Sequence, residues 1–426
     1  MKPSADQSPR RVLLISYWYP PDVGAAAERV GSFAKYLPEH GWDVHVLTAG
    51  RPVDSDEANP VHVHAVRDPF SGGRQPFADY DPQAAPSIIR RRIRDHLFLD
   101  RFAGWRIAAH RRGVEILRQH RFDLILASFP PASAVKLALF LHQATGVPLV
   151  LDFRDRWFGP GGYEPQQERS RQRHKALERT AVGAATGIVT VSEPLAEALG
   201  SEFSLDAGRI LPILNGFEPI ESLSTVEPPI RKTHRFVVAH VGTVIGRNRP
   251  DLLFKSLVGI KADLRMREVL FRFVGNLSRA YLSRAGLEDI VQSTGLLPRD
   301  RARTEMFGAD ALLLLTGSYV GRWGHNAKLF EYLQTGRPIL CLEEAPGTSN
   351  DRRLLERHAG DRSFFAAVYN PDEIARSIGA IRAFCSGSSI GSAVGEDALE
   401  QYSRRHLAAR LSEFLSRAVE STGPAN

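Results

Sequence analysis

Short apolar runs that alternate with amphipathic helical segments constrain the fold of this chain more than any other feature of its sequence. The run from Arg11 to Tyr17 is followed by a helical pattern over 28–39, which Gly41 ends, and by a second run at 43–48. Such continuous apolar runs are typical of strands that are buried on both faces of a parallel sheet. The alternation therefore predicts α/β units in which helices cover both faces of the sheet.

The same alternation continues through both halves of the chain. Further strands are predicted at 61–66, 123–128, 148–153 and 187–192 in the first half, and at 236–241, 270–274, 311–315 and 338–342 in the second half. Further helices are predicted at 132–145, 175–185 and 405–418. The fold class is therefore predicted to be α/β, with two doubly wound, Rossmann-like sheets.

A proline-rich, aperiodic stretch over 218–233 separates the two series and predicts a linker between domains. At roughly 100–200 residues per domain, a chain of 426 residues has room for two domains. The predicted boundaries are 1–217 for the first domain, joined by a C-terminal helix at about 403–420, and 218–402 for the second.

The composition of the chain indicates which kinds of partner it binds and where in the cell it is expected. The net charge is +7, which favours anionic partners such as nucleotides, phosphates or a phospholipid surface. No motif of a nucleic-acid-binding module is present. Cys341 and Cys385 offer neither a disulfide framework nor a metal-ligand spacing, so no metal site is expected. With no apolar run of about 18 residues and no signal-peptide pattern, a cytoplasmic protein is predicted.

Two loops of the first half follow predicted strands, where open α/β sheets bind their ligands. Gly24 lets the backbone approach a ligand closely, and the helix start after it offers free N–H groups to a phosphate. The segment 152–157 brings two carboxylates, two guanidinium groups and an indole to one strand end. Arg154 and Asp155 either orient a sugar or acceptor hydroxyl or belong to a structural Asp–Arg pair, and both interpretations stay open.

Two segments of the second half carry phosphate-binding chemistry. Gly242 and Gly246 open the loop after the first strand, while Arg247 and Arg249 bring guanidinium groups that suit a diphosphate. The segment 324–340 predicts a helix entry at Gly324 and Asn326, with Lys328 in its first turn. Glu331 lies on the same helix face as Lys328 and can chelate two ribose hydroxyls.

The order of several short motifs gives the chain a family resemblance. These motifs are ISYWYPP at 15–21, FAKYLPEHGW at 33–42, DFRDRW at 152–157, VS at 191–192, NG at 215–216, KLFEYL at 328–333 and TGRPIL at 335–340. In this order they resemble the family-4 (group 1) glycosyltransferases. The resemblance implies the GT-B fold, in which two Rossmann-like domains face each other across a cleft that holds the active site.

The resemblance also implies an activity and a set of site residues. It implies retaining, metal-independent transfer of a sugar from a UDP- or GDP-sugar, without a cofactor, in envelope polysaccharide or natural-product biosynthesis. The acceptor would be a saccharide, a lipid-linked molecule or a small molecule held by the N-terminal domain. The expected catalytic residues are Asp155, Arg249 and Lys328, and the expected donor-binding residues are Gly24, Gly242, Arg247, His325, Asn326, Ala327, Leu329 and Glu331.

The sequence departs from the family pattern at the transferred sugar. Family members often have a glutamate eight positions before the ribose-binding glutamate, and this chain has Trp323 there. Backbone N–H groups near 325–327 are the expected replacement. Two alternatives stay open: a nucleotide-sugar epimerase on the same scaffold, and a non-catalytic subunit that binds nucleotide-sugars.

An arginine-rich segment over 90–112 leaves one question about location open. Apolar residues are interleaved with its arginines, so the segment is either an ordinary basic helix face or a contact with an anionic membrane that carries the acceptor. The second interpretation predicts a peripheral location at the inner face of the membrane.

Overall fold

A computed structural model of the protein describes residues 9–22, 24–50, 61–69, 100–159, 167–218, 235–244, 246–263, 266, 268–387 and 396–422. The chain divides into two compact units. Unit 1 contains 1–74, 86–215 and 404–426, and unit 2 contains 75–85 and 216–403. The predicted linker lies outside the described residues, except for Glu218. Residues 90–99 of the arginine-rich segment also lie outside them.

Unit 1 is built on a parallel sheet of seven described strands. Their order is β3-β2-β1-β4-β5-β6-β7. The strands are β1 Arg10–Ile15, β2 Trp42–Ala49, β3 Val61–Val66, β4 Leu124–Phe129, β5 Leu149–Phe153, β6 Gly187–Thr190 and β7 Ile210–Pro212. Since β1 and β4 are neighbours while β2 and β3 continue to the other side of β1, the strand order reverses between β1 and β4.

Helices cover both faces of this sheet and bury its apolar residues. The helices are α1 Ala25–Tyr36, α2 Ala103–Gln119, α3 Ala132–Thr145, α4 Glu168–Ala184, α5 Glu193–Phe203 and, from the C-terminus of the chain, α14 Arg404–Glu420. One core layer contains residues of β1, β4 and β5 with α2, α3 and α4. The other layer contains α1 and α14, where Leu407, Leu411, Phe414 and Leu415 are buried. The C-terminal helix is therefore part of the core of unit 1.

Unit 2 repeats the architecture with six described strands. The strand order is β10-β9-β8-β11-β12-β13, so the reversal lies between β8 and β11. The strands are β8 Phe236–Val241, β9 Val269–Val274, β10 Val291–Ser293, β11 Ala311–Thr316, β12 Ile339–Glu343 and β13 Ser363–Ala367. The helices are α6 Pro250–Ile260, α7 Arg279–Arg284, α8 Arg299–Gly308, α9 Ser318–Trp323, α10 Lys328–Gln334, α11 Asn350–His358, α12 Pro371–Gly387 and α13 Glu396–Glu400.

Three predicted helices differ from the structure in their boundaries. The helix expected over 175–185 begins earlier, at Glu168. The helix expected over 28–39 starts earlier, at Ala25, and continues after Tyr36 as a 3-10 turn over Leu37–His40. Pro38 explains the change, because proline cannot donate the backbone hydrogen bond that an α-helix interior requires. The helix expected to begin at Gly324 or Asn326 begins at Lys328 instead, and Gly324 follows a separate short helix, α9.

Candidate functional site

The point where the strand order of unit 2 reverses brings Gly242 and Lys328 together. Gly242 directly follows β8 and has a φ of +125°, a conformation that L side chains rarely adopt. A Cβ built on Gly242 would overlap Cε of Lys328 and lie 3.0 Å from its Nζ. The glycine therefore makes room for the lysine, whose ammonium group lies directly against the loop after β8. Such reversal points are where open α/β sheets bind ligands.

The loops around this lysine are closely packed, and a neutral histidine lies nearby. A Cβ on Gly275, which follows β9, would overlap the carbonyl oxygen of Gly242, so these two loops also need glycine to pack. His240, two residues before Gly242 on β8, is buried, and its Nδ1 lies 3.0 Å from the carbonyl oxygen of Leu313. Burial, together with the charge of Lys328, lowers the pKa of His240 to about 3. The imidazole is therefore neutral at neutral pH.

Arg249 is held by two carboxylates in this structure. It has a φ of +51° at the start of α6. Its guanidinium forms a fork with Asp251, with both N–O distances 3.0 Å, and donates from Nη1 to Oε1 of Glu344 at 2.6 Å. Oε2 of Glu344 accepts from the backbone and hydroxyl of Ser318. A phosphate at Arg249 would compete with Asp251 and Glu344.

The same contacts fix the charge states at this end of the sheet. The hydrogen bond from Arg249 lowers the pKa of Asp251. Burial raises the pKa of Glu344, but hydrogen bonds from Ser318 and Arg249 outweigh it and leave the pKa below its usual value. Arg249, Asp251 and Glu344 therefore form a network with both carboxylates charged at neutral pH.

A buried aspartate, Asp351, organises the segment before α10. Its side chain is fully buried. One carboxylate oxygen accepts from the backbone N–H of Asn326 at 3.1 Å and lies 3.4 Å from Nδ1 of His325. The other oxygen accepts from Nδ2 of Asn326 at 2.6 Å and from Thr316 at 2.8 Å. Asp351 therefore locks residues 325 and 326 against the ends of β11 and α11.

This arrangement changes what the predicted helix entry offers a ligand. The N–H of Asn326, which we expected to be exposed, donates to Asp351 instead, because a buried carboxylate needs donors. Nδ2 of Asn248 also lies 3.3 Å from the side-chain oxygen of Asn326. Leu329 is fully buried, and its N–H donates to the carbonyl oxygen of Asn326. Ala327 is the first residue before α10, with helical dihedral angles.

Two further residues that were expected to bind the donor are Glu331 and Arg247. Glu331 lies in α10, three residues after Lys328, and is partly exposed. One of its carboxylate oxygens is 3.7 Å from a guanidinium nitrogen of Arg299. Arg247 lies in a 3-10 turn over Gly246–Asn248, and its side chain lies outside the described residues.

In unit 1, the loop after β5 is mostly structural. Asp152 is buried and pairs with Arg29, which is equally buried, at 2.8 Å. Arg154 donates from Nε to the hydroxyl of Ser128 at 2.9 Å, and its guanidinium carbon lies 5.5 Å from the ring centre of Trp18. The Asp–Arg pairing left open from the sequence therefore exists, but it joins Asp152 to an arginine from α1 and not to its neighbour.

Asp155 and Gly24 remain candidates in this unit. Trp157 is buried, donates to Nδ1 of His174 at 2.9 Å and stacks on Phe129. Asp155 is partly exposed, unlike Asp152. Gly24 precedes α1 and has a φ of +122°. It therefore provides the backbone conformation that the sequence suggested, next to the reversal point between β1 and β4.

Sequence reasoning missed the groups that hold these loops. Arg29, Asp351 and Glu344 are far along the chain from the residues that they contact. No local spacing could reveal these three, although an arginine on the apolar face of a predicted helix, as Arg29 is, signals a buried partner. Asp251 lies only two positions after Arg249, so the sequence did place these two residues side by side.

Comparisons with known proteins agree with this architecture. Residues 24–216 match the family model described as "Glycosyl transferase 4-like domain". No curated protein matches the sequence. Within the described residues, no helix is long and apolar enough to cross a membrane.

Solved structures of similar fold cover almost the whole chain. HepE from Anabaena, solved in complex with UDP, is 16% identical with a TM-score of 0.60, over 96% of this chain and 100% of HepE. Sucrose-phosphate synthase from Thermosynechococcus elongatus is 14% identical with a TM-score of 0.65, over 97% and 100%. A putative UDP-N-acetylglucosamine 2-epimerase from Listeria monocytogenes is 10% identical with a TM-score of 0.55, over 96% and 97%.

The family model matches unit 1, and the structural similarity extends through both units. The two Rossmann-like sheets are the architecture that the sequence predicted. Residues 24–216 are thus similar to the glycosyl transferase 4-like domain, and the chain has the GT-B fold.

Proposed function

We propose that the protein is a retaining glycosyltransferase that moves a sugar from a nucleoside diphosphate sugar to an acceptor nucleophile, and that unit 2 binds the donor. One observation carries the proposal: the ammonium group of Lys328 lies against the loop at Gly242, where the strand order of unit 2 reverses. A cation beside a close-approach glycine is suited to a diphosphate. The UDP in the structure of HepE fits the same class of ligand.

Lys328 would stabilise the negative charge that develops on the leaving diphosphate. This charge grows as the bond to the sugar breaks, so a fixed cation stabilises the transition state more than the ground state. Arg249 would assist by moving from Asp251 or Glu344 to a phosphate, and Arg247 is the second candidate. With cations in this role, the transfer would need no metal ion and no cofactor.

Glu331 would accept hydrogen bonds from the ribose of the donor. It lies on α10 together with Lys328, so that one short helix would hold the ribose and the diphosphate of the same molecule. Arg299, 3.7 Å away, would help to orient the carboxylate. Because the N–H of Asn326 donates to Asp351, the backbone groups of His325 and Ala327 on either side of it would contact the transferred sugar in place of the glutamate that Trp323 replaces.

Unit 1 would hold the acceptor, with Asp155 as the carboxylate that orients its nucleophile. Gly24 would bring the start of α1 to the donor diphosphate. The acceptor class stays a prediction: a saccharide, a lipid-linked molecule or a small molecule of an envelope polysaccharide or natural-product pathway.

Transfer can be tested with a panel of UDP- and GDP-sugars and acceptor extracts. We expect a nucleoside diphosphate to be released only when the donor and an acceptor are both present, with unchanged rates in EDTA. NMR of the product should show the same anomeric configuration as the donor. Inversion of the anomeric centre would refute the retaining mechanism, and release that depends on a divalent ion would refute metal independence.

The epimerase alternative is favoured by one observation, the similarity of fold to a putative UDP-N-acetylglucosamine 2-epimerase. An epimerase converts the nucleotide-sugar without an acceptor. Incubation with the donor alone should therefore leave it unchanged if the chain is a transferase. Conversion of the sugar under these conditions would replace our proposal, and tight donor binding without any product would indicate a non-catalytic subunit.

A further inference from the structure

A group of metal-ligating side chains lies in unit 1, far from the carboxyl ends of its strands. Asp43 and His45 are two positions apart on β2, so their side chains lie on the same face of the sheet. His62, on the edge strand β3, is the register partner of His45. One potential ligand atom from each of Asp43, His45 and His62 lies within 4.8 Å of those of the other two.

The distances approach those of a metal centre. Oδ1 of Asp43 is 3.7 Å from Nε2 of His45 and 3.4 Å from Nε2 of His62. Tetrahedral zinc, with bonds of about 2.0–2.1 Å, holds neighbouring ligand atoms about 3.3 Å apart. Small side-chain rotations would therefore bring the three ligands into range without moving the strands.

Arg11 orients the carboxylate of this group. Its Nε donates to Oδ2 of Asp43 at 2.6 Å, which leaves Oδ1 towards the two imidazoles. The side chain of His62 is 53% exposed, whereas that of His45 is 4% exposed. The group therefore has one rigid, buried imidazole and one accessible imidazole through which an ion can enter from solvent.

His64 supports the buried imidazole from its other side. Nδ1 of His45 lies 3.0 Å from Nε2 of His64, and Nδ1 of His64 lies 3.2 Å from a guanidinium nitrogen of Arg112. While Arg112 donates to His64, His64 must donate to His45. A metal at Nε2 of His45 would reverse that bond, because Nδ1 of His45 would then carry the proton and donate to His64. His64 could then no longer accept from Arg112, which would turn towards Glu115, 3.5 Å from it. Such outer hydrogen bonds orient histidine ligands in metal sites.

We propose that Asp43, His45 and His62 bind one divalent transition-metal ion of the zinc type, with water completing the coordination. Two imidazoles and one carboxylate select zinc and its neighbours over magnesium or calcium, which prefer oxygen ligands alone. The ion would link β2 to the edge strand β3 at the amino ends of the strands. This site is separate from the proposed transfer chemistry and does not depend on it.

Zinc binding can be measured by calorimetry on protein that has been purified without a histidine tag and stripped with a chelator. We expect the wild type to bind one equivalent of zinc and no magnesium. His62→Ala should weaken zinc binding at least tenfold, since it removes one of three protein ligands. His406→Ala, an exposed histidine on α14, is the matched control and should bind like the wild type.

A second variant and a folding measurement distinguish loss of a metal ligand from loss of the fold. Asp43→Asn should also weaken zinc binding at least tenfold, and far-ultraviolet circular dichroism must show that both variants fold. Zinc should raise the melting temperature of the wild type and of His406→Ala, but not that of His62→Ala. The proposal is overturned if folded His62→Ala and Asp43→Asn bind zinc as tightly as the wild type does, or if the wild type does not bind it.

Discussion

At Gly242, a single backbone conformation decides where the charge of Lys328 lies. The residue combines a φ of +125° with a neighbour that fills the space of its missing side chain. Gly295 also has a positive φ, +80°, but a Cβ there would meet no atom within 4 Å. A side chain at either glycine would strain the backbone, but only a side chain at Gly242 would also displace Lys328.

This comparison gives a prediction for two alanine variants. Gly242→Ala and Gly295→Ala should each lose about 1 kcal/mol of stability, because alanine disfavours a positive φ. Only Gly242→Ala should also lose donor affinity, since its methyl group displaces Lys328. Chemical denaturation and calorimetry with a nucleoside diphosphate sugar measure the two effects. Equal donor affinity in both variants would contradict the proposed role of Gly242.

Glu331 gives a second prediction at the scale of one residue. Glu331→Ala should weaken binding of the nucleoside diphosphate by about tenfold, because it removes charge-assisted hydrogen bonds worth roughly 1.5–3 kcal/mol from the ribose. Glu356→Ala, an exposed glutamate on α11, is the control and should leave the affinity unchanged. Unaltered nucleotide affinity of Glu331→Ala would remove Glu331 from the donor site.

The sequence indicates candidate residues but not the contacts that they make. Lys328 and Gly242 were selected separately, from a helix start and from a loop glycine, and the fold places them in contact. Asn326 and Arg249 were selected for their donors, but buried or half-buried carboxylates from distant segments already accept from these donors. Local spacing carries no information on such long-range partners.

At the scale of the elements, the hydrophobic pattern located most strands to within one or two residues. The runs at 236–241 and 61–66 coincide with β8 and β3. The first run is mostly apolar, as expected for a buried parallel strand. The second, on an edge strand that is mostly half-buried, alternates valine with histidine. The short strands β7, β10 and β13 were not predicted. Ile210–Pro212 and Val291–Ser293 are three residues each, too short to give a periodic signal.

Helix α4 contains a carboxyl group that its amphipathic pattern does not reveal. Glu178 is 3% exposed. Burial, together with the nearby charge of Glu202, raises its pKa to about 8. The folded protein therefore keeps a proton on Glu178 at neutral pH, whereas the unfolded chain releases it near the usual pKa of about 4.3.

This raised pKa gives a prediction for stability against pH. Between the unfolded and folded pKa values the folded state binds more protons, so the contribution of Glu178 to stability falls as pH rises from about 4.5 to about 8. Glu178→Gln removes this loss. Its melting temperature should match that of the wild type near pH 5 and exceed it by a few degrees near pH 9.

Exposed Glu168, on the same helix, supplies the control for this measurement. Glu168→Gln should follow the wild-type dependence on pH throughout. Parallel melting curves of Glu178→Gln and the wild type from acid to alkaline pH would show that the Glu178 carboxyl is charged in the folded protein.

At the scale of the whole molecule, the chain leaves unit 1 after Asn215 and returns to it at Arg404. Helix α14 is anchored there by an ion pair between Arg404 and Glu28 at 2.7 Å and by a hydrogen bond from Trp42 to Ser412. A Cβ on Gly187 would lie 2.7 Å from the ring of Phe414, so this glycine of β6 leaves the space in which the ring packs. Completion of unit 1 therefore requires the last segment of the chain.

This topology predicts that a core substitution in α14 destabilises unit 1. Phe414→Ala should cost about 3–5 kcal/mol, because it leaves a cavity beneath a ring that is 3% exposed. Four of the five tryptophans, at positions 18, 42, 105 and 157, lie in unit 1, so tryptophan fluorescence during urea denaturation mainly follows this unit. Glu413→Ala, its exposed neighbour, should unfold like the wild type, and an equal midpoint for Phe414→Ala would contradict the packing.

The central claim is that Lys328 in unit 2 binds the diphosphate of a nucleoside diphosphate sugar. Calorimetric titration of UDP- and GDP-sugars into the wild type, Lys328→Met and Lys255→Met tests it most directly, because Lys255 is an exposed lysine of the same unit. We predict that one donor binds equally to the wild type and Lys255→Met and roughly 10- to 100-fold more weakly to Lys328→Met, as loss of a charge-assisted bond to phosphate requires. Wild-type affinity in Lys328→Met would contradict the account.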